Sequence, residues 1–100
     1  VLSVGDASLD CGSYILSGPG GEVRLNNKEY QLTEVFMRRP GQIFSSERLM
    51  DMVWGQDSEA GTDVVWTYIG FLRKKLRQVG SRLEIKTIRG AGYTLEDEHA

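Results

Sequence analysis

The sequence predicts a single α+β domain with an N-terminal antiparallel sheet, three helices and a C-terminal β-hairpin. Three observations predict this order. Apolar and polar residues alternate near the N-terminus, apolar residues recur every three or four positions in the middle, and alternation returns after residue 82. With 100 residues, of which 40% are apolar and 26% charged, the chain has the size of one compact domain.

The sheet is expected within residues 2–28 and contains at least three strands. Polar and apolar side chains alternate over residues 22–25, which is the pattern of a strand with one solvated face. The Ser-Gly-Pro-Gly-Gly sequence at 17–21 predicts a turn between this strand and an extended run at 13–16. Spaced leucine and valine residues before position 10 indicate further extended chain.

The first helix is predicted over about 29–39, since apolar residues there lie three and four positions apart. We expect Asn26 or Asn27 to cap it and Glu29 to complete a capping box. The Pro40-Gly41 pair is expected to end it.

The second helix is predicted over 46–54, with Ser45 as its N-cap and Gly55 at its end. Residues 55–61 (Gly-Gln-Asp-Ser-Glu-Ala-Gly) contain no apolar side chain larger than alanine. Because such a segment cannot anchor itself in a core, it is predicted to be an exposed loop.

The third and longest helix is predicted over 62–79. Its apolar residues form one stripe that faces the core: Val65, Ile69, Leu72, Leu76 and Val79. At about 100° per residue, the opposite face carries Asp63, Thr67, Gly70 and Lys74, flanked by Trp66, Phe71, Arg73 and Arg77. This outward face is the one that a partner would meet.

The hairpin is predicted over 83–95, with an Arg-Gly-Ala-Gly turn at 89–92 and an acidic tail at 96–100. The net charge of −2 hides an asymmetry, because residues 1–61 carry −4, residues 62–93 carry +5 and the tail carries −3. At physiological salt, screening limits the distance over which exposed charges act to about 8 Å, so a polyanion responds to the local field and not to the net charge. We therefore expect a polyanion to bind the last third of the fold.

The composition leaves few residues for other chemistry. Cys11 is the only cysteine and His99 the only histidine, so neither an intrachain disulfide nor a zinc site is expected. No apolar run reaches about 18 residues and no leader opens the chain, which predicts a soluble, cytoplasmic protein without a membrane partner. No nucleophile, base and orienting group form a recognisable set, so we expect neither an enzyme nor a cofactor.

Several motifs resemble, in order and spacing, the C-terminal effector domain of OmpR/PhoB-type response regulators. They are Glu29-Tyr30-Gln31-Leu32, Val53-Trp54-Gly55, Leu72-Arg73-Lys74-Lys75-Leu76 and, most specifically, Thr87-Ile88-Arg89-Gly90-Ala91-Gly92-Tyr93. The resemblance covers nearly the whole chain. It implies a winged helix-turn-helix in which the hairpin is the wing.

The resemblance implies a DNA-binding transcription regulator of a two-component system. An upstream receiver domain, which this chain does not contain, would carry the phosphorylated aspartate and respond to a sensor kinase. Residues 62–79 would be the recognition helix in the major groove, and residues 83–95 the wing in the minor groove. The loop would contact RNA polymerase through Gln56, Asp57, Ser58 and Glu59. Because one helix and one wing read few base pairs, we expect a homodimer or tandem protomers on double-stranded DNA.

Thirteen residues of the last third are the predicted DNA contacts: Asp63, Thr67, Gly70, Phe71, Arg73, Lys74, Lys75, Arg77, Thr87, Arg89, Gly90, Gly92 and Tyr93. The resemblance implies that Arg89 enters the minor groove, and it favours phosphate contact for the helix cations. If five of the seven cations in this third neutralise phosphates, log affinity falls with log salt at a slope of about −4.5. The alternatives are a solvated face that complements the helix dipole, turn geometry alone for Gly90 and Gly92, and packing beneath the wing for Tyr93.

The outward face of the third helix lacks the arginines that relatives commonly present. Asp63 would repel phosphate, unless it stabilises the helix start or accepts a hydrogen bond from a cytosine amino group. Gly70 costs about 1 kcal/mol inside a helix, which indicates a close approach either to DNA or to another helix. Thr67 and Phe71 could contact thymine methyl groups, whereas Trp66 and Phe71 are more often partly buried packing residues. The second hypothesis is a winged-helix module that has lost base readout and binds a protein through Trp66, Gly70 and Phe71.

Overall fold

The computed structural model describes residues 1–55 and 61–97 and contains the predicted elements in the predicted order. The elements are β1 (Leu2–Val4), β2 (Ala7–Asp10), β3 (Ile15–Gly18), β4 (Gly21–Arg24), α1 (Asn27–Arg38), α2 (Ser46–Leu49), a π-helical segment (Met50–Trp54), α3 (Asp63–Gln78), β5 (Leu83–Ile88) and β6 (Gly92–Asp97). The α+β plan of sheet, three helices and closing hairpin is confirmed.

The N-terminal sheet has four antiparallel strands in the order β1-β2-β3-β4. Gly18 pairs with Gly21 across the β3–β4 hairpin, so Pro19 and Gly20 alone form the turn that was predicted over 17–21. The last strand ends at Arg24, and the predicted sheet boundary at 28 is therefore wrong. The chain leaves the sheet early because the cap of α1 already lies at residue 26.

The predicted helix caps are confirmed at α1 and α2. Asn26 Oδ1 accepts from the Glu29 amide at 2.9 Å, and Glu29 Oε1 accepts from the Asn26 amide at 2.8 Å, which is a complete capping box. Ser45 Oγ accepts from the Arg48 amide at 3.1 Å. The predicted helix over 46–54 changes after Leu49 into the π-helical segment, which ends at Gly55 with φ of 80°.

The wing hairpin is longer than predicted. β6 continues to Asp97, so Glu96 and Asp97 belong to a strand and not to the predicted acidic tail. An ion pair of 2.8 Å between Arg82 Nε and Asp97 Oδ1 accompanies this last pairing. The tail residues 98–100 and the loop residues 56–60 lie outside the described residues.

One apolar core joins the sheet, the helices and the wing. The predicted stripe of α3 is fully buried, and Phe36 of α1 packs edge-on against Phe44 at a centroid distance of 5.7 Å. Backbone hydrogen bonds between Phe44 and Tyr93 join the segment before α2 to β6. The core thus fixes the wing against the body of the domain.

A polar contact joins the β1–β2 turn to the chain that follows α3. Asp6, in the β1–β2 turn, accepts from Ser81 Oγ at 2.6 Å and from the Arg82 amide at 3.0 Å. This contact ties the N-terminal sheet to the connection between α3 and β5. In the ranges 1–55 and 61–97, no helix is both long and apolar enough to cross a membrane.

Candidate nucleic-acid interface

The predicted outward face of α3 is exposed. Asp63, Thr67, Gly70 and Lys74 are all open to solvent, while the opposite stripe is buried. The Thr67 hydroxyl donates to the Asp63 carbonyl oxygen at 3.2 Å, so this hydroxyl already has a partner within the helix. The helix therefore presents a solvated surface about four turns long.

The two aromatic side chains beside this face are more exposed than expected. Trp66 is 68% exposed and Phe71 45% exposed, so the packing role expected for Trp66 is wrong. Phe71 does pack on one side, since its ring lies edge-on to Tyr68 at 5.4 Å and Tyr68 lies edge-on to Trp54 at 5.2 Å. Phe71 is thus supported by an aromatic row, whereas Trp66 projects into solvent.

Arg73 fastens the wing to α3. Its Nε and Nη2 donate to the Ile85 carbonyl oxygen at 3.1 and 2.8 Å, and Nη2 also donates to Thr87 Oγ1 at 3.0 Å. These bonds use three of the five N–H donors of the guanidinium and leave the two on Nη1. Because Thr87 precedes the wing tip by two residues, Arg73 sets the position of the tip relative to the helix.

Of the seven cations in residues 62–93, four form no ion pair with a carboxylate of the described residues, and we call them the cationic group: Arg73, Lys74, Arg77 and Arg89. Lys74 and Arg77 are exposed on α3, and Arg89 is exposed on the turn between β5 and β6. A cavity of about 170 Å³ beside α3 and β5 is lined in part by Arg73 and Arg77. The cationic group therefore belongs to the unit that Arg73 holds together.

The structure places Lys75 apart from the cationic group. Its Nζ lies 2.7 Å from Glu29 Oε1, and the Glu29 side chain is only 6% exposed. In the free domain Lys75 thus holds α3 to the start of α1 instead of facing the outward surface. Helix geometry could have predicted this orientation of Lys75. Successive residues of a helix differ by about 100° around its axis, so the side chain after Lys74 points away from the outward face, here toward α1.

Two further cations of the last third have acidic partners. Arg82 pairs with Asp97, and Lys86 Nζ lies 2.8 Å from Glu84 Oε2. The hydrogen bonds and charge of Asp97 raise the pKa of the Arg82 guanidinium, the hydrogen bond contributing most. These pairs lower the number of cations that can neutralise phosphates without first losing a partner.

The wing residues divide between turn geometry and exposure. Gly90 has φ of 78° with open space around its Cα, whereas Gly92 has φ of 142° and lies against the Phe44 carbonyl. Tyr93 is buried, so its ring packs beneath the wing as in the alternative interpretation. The Thr87 hydroxyl is exposed but already accepts from Arg73.

A groove of about 400 Å³ separates the wing tip from the start of α2. Its walls include Ser45 and Ser46 on the helix side and Arg89 on the wing side. The predicted polymerase contacts Gln56, Asp57, Ser58 and Glu59 lie outside the described residues.

Comparison with known families agrees with this geometry. The sequence model of the family described as "Transcriptional regulatory protein, C terminal" matches residues 20–95. The chain belongs to this family. The resemblance to OmpR/PhoB-type effector domains drawn from the motifs is thereby confirmed.

The curated relatives are named as transcriptional regulatory proteins. The chain is 40% identical over 96 residues to the transcriptional regulatory protein DltR of Streptococcus agalactiae, covering 96% of this chain and 43% of DltR. It is also 40% identical over 96 residues to the phosphate regulon transcriptional regulatory protein PhoB of Rhizobium meliloti, covering 96% of this chain and 42% of that protein. The chain thus spans less than half the length of these curated relatives.

Solved structures share the winged-helix fold. The DNA-binding domain of E. coli CadC superposes with a TM-score of 0.84 at 28% identity, over 96% of this chain and 91% of that chain. The C-terminal domain of the nisin resistance regulator NsrR superposes with a TM-score of 0.80 at 29% identity, over 98% of each chain. The DNA-binding domain of AdeR, solved in complex with an intercistronic region, has a TM-score of 0.82 at 23% identity, over 95% of this chain and 98% of that chain, and shows the fold alone.

Proposed function

We propose that this domain binds double-stranded DNA and regulates transcription as the effector part of a two-component response regulator. In this proposal α3 lies in the major groove and the β5–β6 wing reaches the minor groove. The observation that carries the proposal is the Arg73 contact between helix and wing. It fixes the exposed cations of α3 and the exposed Arg89 of the wing in one unit.

The chemistry of the cationic group suits a duplex. Lys74 and Arg77 would contact phosphates beside the major groove, where their charges replace condensed counterions. Arg89 would project from the wing tip into the minor groove, where the negative potential favours a guanidinium. Residues 1–61 carry −4, so the duplex would meet the domain from the side of α3 and the wing only.

Further partners belong to the same proposal. A receiver domain joined upstream would control pairing of protomers, under a sensor kinase that phosphorylates it. Two protomers, as a homodimer or in tandem, would supply the base pairs that one helix and one wing cannot read. The loop with Gln56, Asp57, Ser58 and Glu59 would contact RNA polymerase.

The test is a fluorescence-anisotropy titration of the domain against labelled duplex DNA at 50 and 200 mM salt, with the variant Arg89→Ala. We expect steep weakening with salt, and a loss of about 1 to 3 kcal/mol in Arg89→Ala together with a weaker preference for A/T-rich flanks. Arg24→Ala, which removes an exposed arginine from β4, is the matched control and should bind as the parent does.

Two outcomes would oppose the proposal. Unchanged affinity and salt slope in Arg89→Ala would remove the wing from the interface. Failure of the folded domain to bind any duplex at low salt would leave the module that binds a protein through Trp66, Gly70 and Phe71.

A further inference from the structure

The N-terminal half of α3 lacks the long polar side chains that read purines by bidentate hydrogen bonds. In helix-turn-helix proteins, the N-terminal residues of the recognition helix contact the base edges. Residues 63–71 contain no Arg, Lys, Asn, Gln or His, so no bidentate contact to guanine or adenine is available there. The cations of α3 begin at Arg73. In this half Asp63 offers a hydrogen bond to a base edge, as an acceptor for a cytosine amino group, and the exposed side chains from residue 66 to residue 71 offer mainly apolar contacts.

This half of the helix presents exposed apolar surface around a gap. We call Trp66, Thr67, Gly70 and Phe71 the apolar notch. Gly70 follows Trp66 by one helical turn, and Phe71 follows Thr67 by one turn, so the four residues form neighbouring pairs on the outward side. A Cβ at Gly70 would meet nothing within 4 Å. The free domain thus gives no packing reason for glycine, and the gap is open to a partner.

Two side chains of the apolar notch, Thr67 and Phe71, are already held in position in the free domain. The Phe71 ring rests on Tyr68, which rests on Trp54, and this row limits the orientations of the Phe71 ring. The Thr67 hydroxyl is bonded to the Asp63 carbonyl, which leaves the γ-methyl as the free part of an exposed side chain. The surface on offer is therefore apolar and partly preorganised.

The surroundings of the apolar notch favour nucleic acid as its occupant. Lys74 and Arg77 follow within about two turns on the same side of α3, so an apolar partner that docks here must also tolerate positive charge. On the major-groove edge of a duplex, the apolar group is the C5-methyl of thymine, and it lies between rows of phosphates. A duplex thus matches both the apolar notch and the cations beside it.

We propose that the apolar notch reads thymine methyl groups, so that T·A pairs at fixed positions specify the target beneath residues 66–71. This inference rests on the proposed function, because it requires α3 to lie in the major groove. Apolar contact with the methyl replaces the arginine-to-guanine contact that this helix half cannot make.

The experiment replaces thymine by uracil, which removes only the C5-methyl group. A target duplex is first selected with the domain from a random pool, and each thymine is then replaced singly by uracil and measured by fluorescence anisotropy at constant salt. We expect about fourfold weaker binding at two or three positions beneath α3, the ratio given by burial of one methylene-sized group. Replacement in the flanks should have no effect.

Variants connect the uracil effect to the apolar notch. In Trp66→Ala and Phe71→Ala the thymine-to-uracil affinity ratio should fall toward 1 at one or more of these positions. Met52→Ala is the matched control, because Met52 is 46% exposed and lies outside α3, and it should keep the ratio. The ratio is compared within one folded variant, so a general loss of stability does not change it.

The outcomes separate this inference from the proposed function. Steep, salt-dependent binding with no sensitivity to uracil at any position overturns the thymine contact and leaves DNA binding in place. A ratio that stays at about fourfold in both aromatic variants assigns the methyl contact to other residues and overturns the role of the notch. Absence of any duplex binding by the folded domain overturns both and favours a protein partner on the same surface.

Discussion

Residues of the same type that lie next to each other, or two positions apart, have different surroundings in this domain. Lys74 is exposed on the outward face of α3, while Lys75 is paired with Glu29 beneath it. Gly90 lies in open space, while Gly92 lies against the Phe44 carbonyl. Residue type alone therefore does not separate a DNA contact from a structural residue. The position of each Cβ relative to the core does.

The two wing glycines give the first test at this scale. Gly92→Ala should destabilise the domain by about 2 to 5 kcal/mol, because the new Cβ combines backbone strain with a collision against Phe44. Gly90→Ala should cost only about 1 to 2 kcal/mol, since its φ of 78° is strained but its surroundings are open. Urea unfolding measures both. Equal losses in the two variants would contradict a special contact at residue 92.

The two adjacent lysines give the second test. Lys75→Met should lower the free energy of unfolding by about 1 to 3 kcal/mol, less than a fully buried pair, because Lys75 is 24% exposed. It should leave the salt slope of DNA binding unchanged. Lys74→Met should do the reverse, with unchanged unfolding and a slope reduced by about 0.9. A reduced slope in Lys75→Met would restore Lys75 to the predicted DNA contacts.

At the scale of elements, the sequence predicted what local signals determine. The capping box of Asn26 and Glu29, the Ser45 cap and the apolar stripe of α3 each depend on residues within a few positions, and each is confirmed. Tertiary partners determine the rest. β6 extends to Asp97 beside Arg82, and Lys75 turns to Glu29, which lies 46 residues away in sequence. No local pattern records such a partner.

The residues of the candidate site also divide into those that the local sequence predicts and those that depend on tertiary contacts. The helical projection identified the exposed face with Asp63, Thr67, Gly70 and Lys74, since a 3.6-residue period suffices for that. The usual tendency of tryptophan to be partly buried gave the wrong expectation for Trp66. Its exposure depends on what packs beside α3, and no ring among the described residues covers it. Solvent exposure of a large apolar residue is the signal that only coordinates supply.

The contact between α3 and the wing gives a test at the scale of elements. Arg73→Lys keeps the charge but cannot reproduce the forked bonds to Ile85 and Thr87. We expect faster hydrogen exchange in β5 and a weaker preference for A/T-rich flanks, with the salt slope retained. Arg77→Lys is the control, since Arg77 is exposed on the same helix. Unchanged β5 exchange in Arg73→Lys would show that the wing is held by other contacts.

At the scale of the whole molecule, Asp6 joins the first and last thirds of the chain. Partial burial alone would raise the pKa of Asp6, but hydrogen bonds from Ser81 and the Arg82 amide, with the charge of Arg82, hold it below its ordinary value of 3.8. A carboxyl with a lowered pKa stabilises the folded state above its unfolded pKa. That contribution is lost as pH falls through the folded pKa.

The corresponding prediction concerns Asp6→Asn. At pH 7 the free energy of unfolding of this variant should be about 1 kcal/mol lower than that of the parent. This loss is small for hydrogen bonds to a charged group, because the site is partly solvated. The difference should shrink as pH falls below 3.8, where the parent carboxylate becomes protonated. Urea unfolding from pH 7 to pH 2.5 measures this, with Glu22→Gln on β4 as control. A difference independent of pH would show that the contact does not depend on charge.

The distribution of charge over the whole molecule determines how strongly salt acts on DNA binding. Seven cations lie in residues 62–93, but Lys75, Arg82 and Lys86 have carboxylate partners. If the four members of the cationic group neutralise one phosphate each, log affinity should fall with log salt at about −3.6 per protomer, instead of the −4.5 expected for five.

Binding to one duplex, measured at salt concentrations from 50 to 400 mM, gives this slope. The variant Arg82→Gln then distinguishes four neutralised phosphates from five. If Arg82 remains paired with Asp97 on DNA, Arg82→Gln should keep the slope of the parent. A slope near −4.5 in the parent that falls by about 0.9 in Arg82→Gln would mean that Arg82 leaves Asp97 for a phosphate. Binding would then be coupled to the end of the wing, because Arg82 and Asp97 lie where β6 finishes.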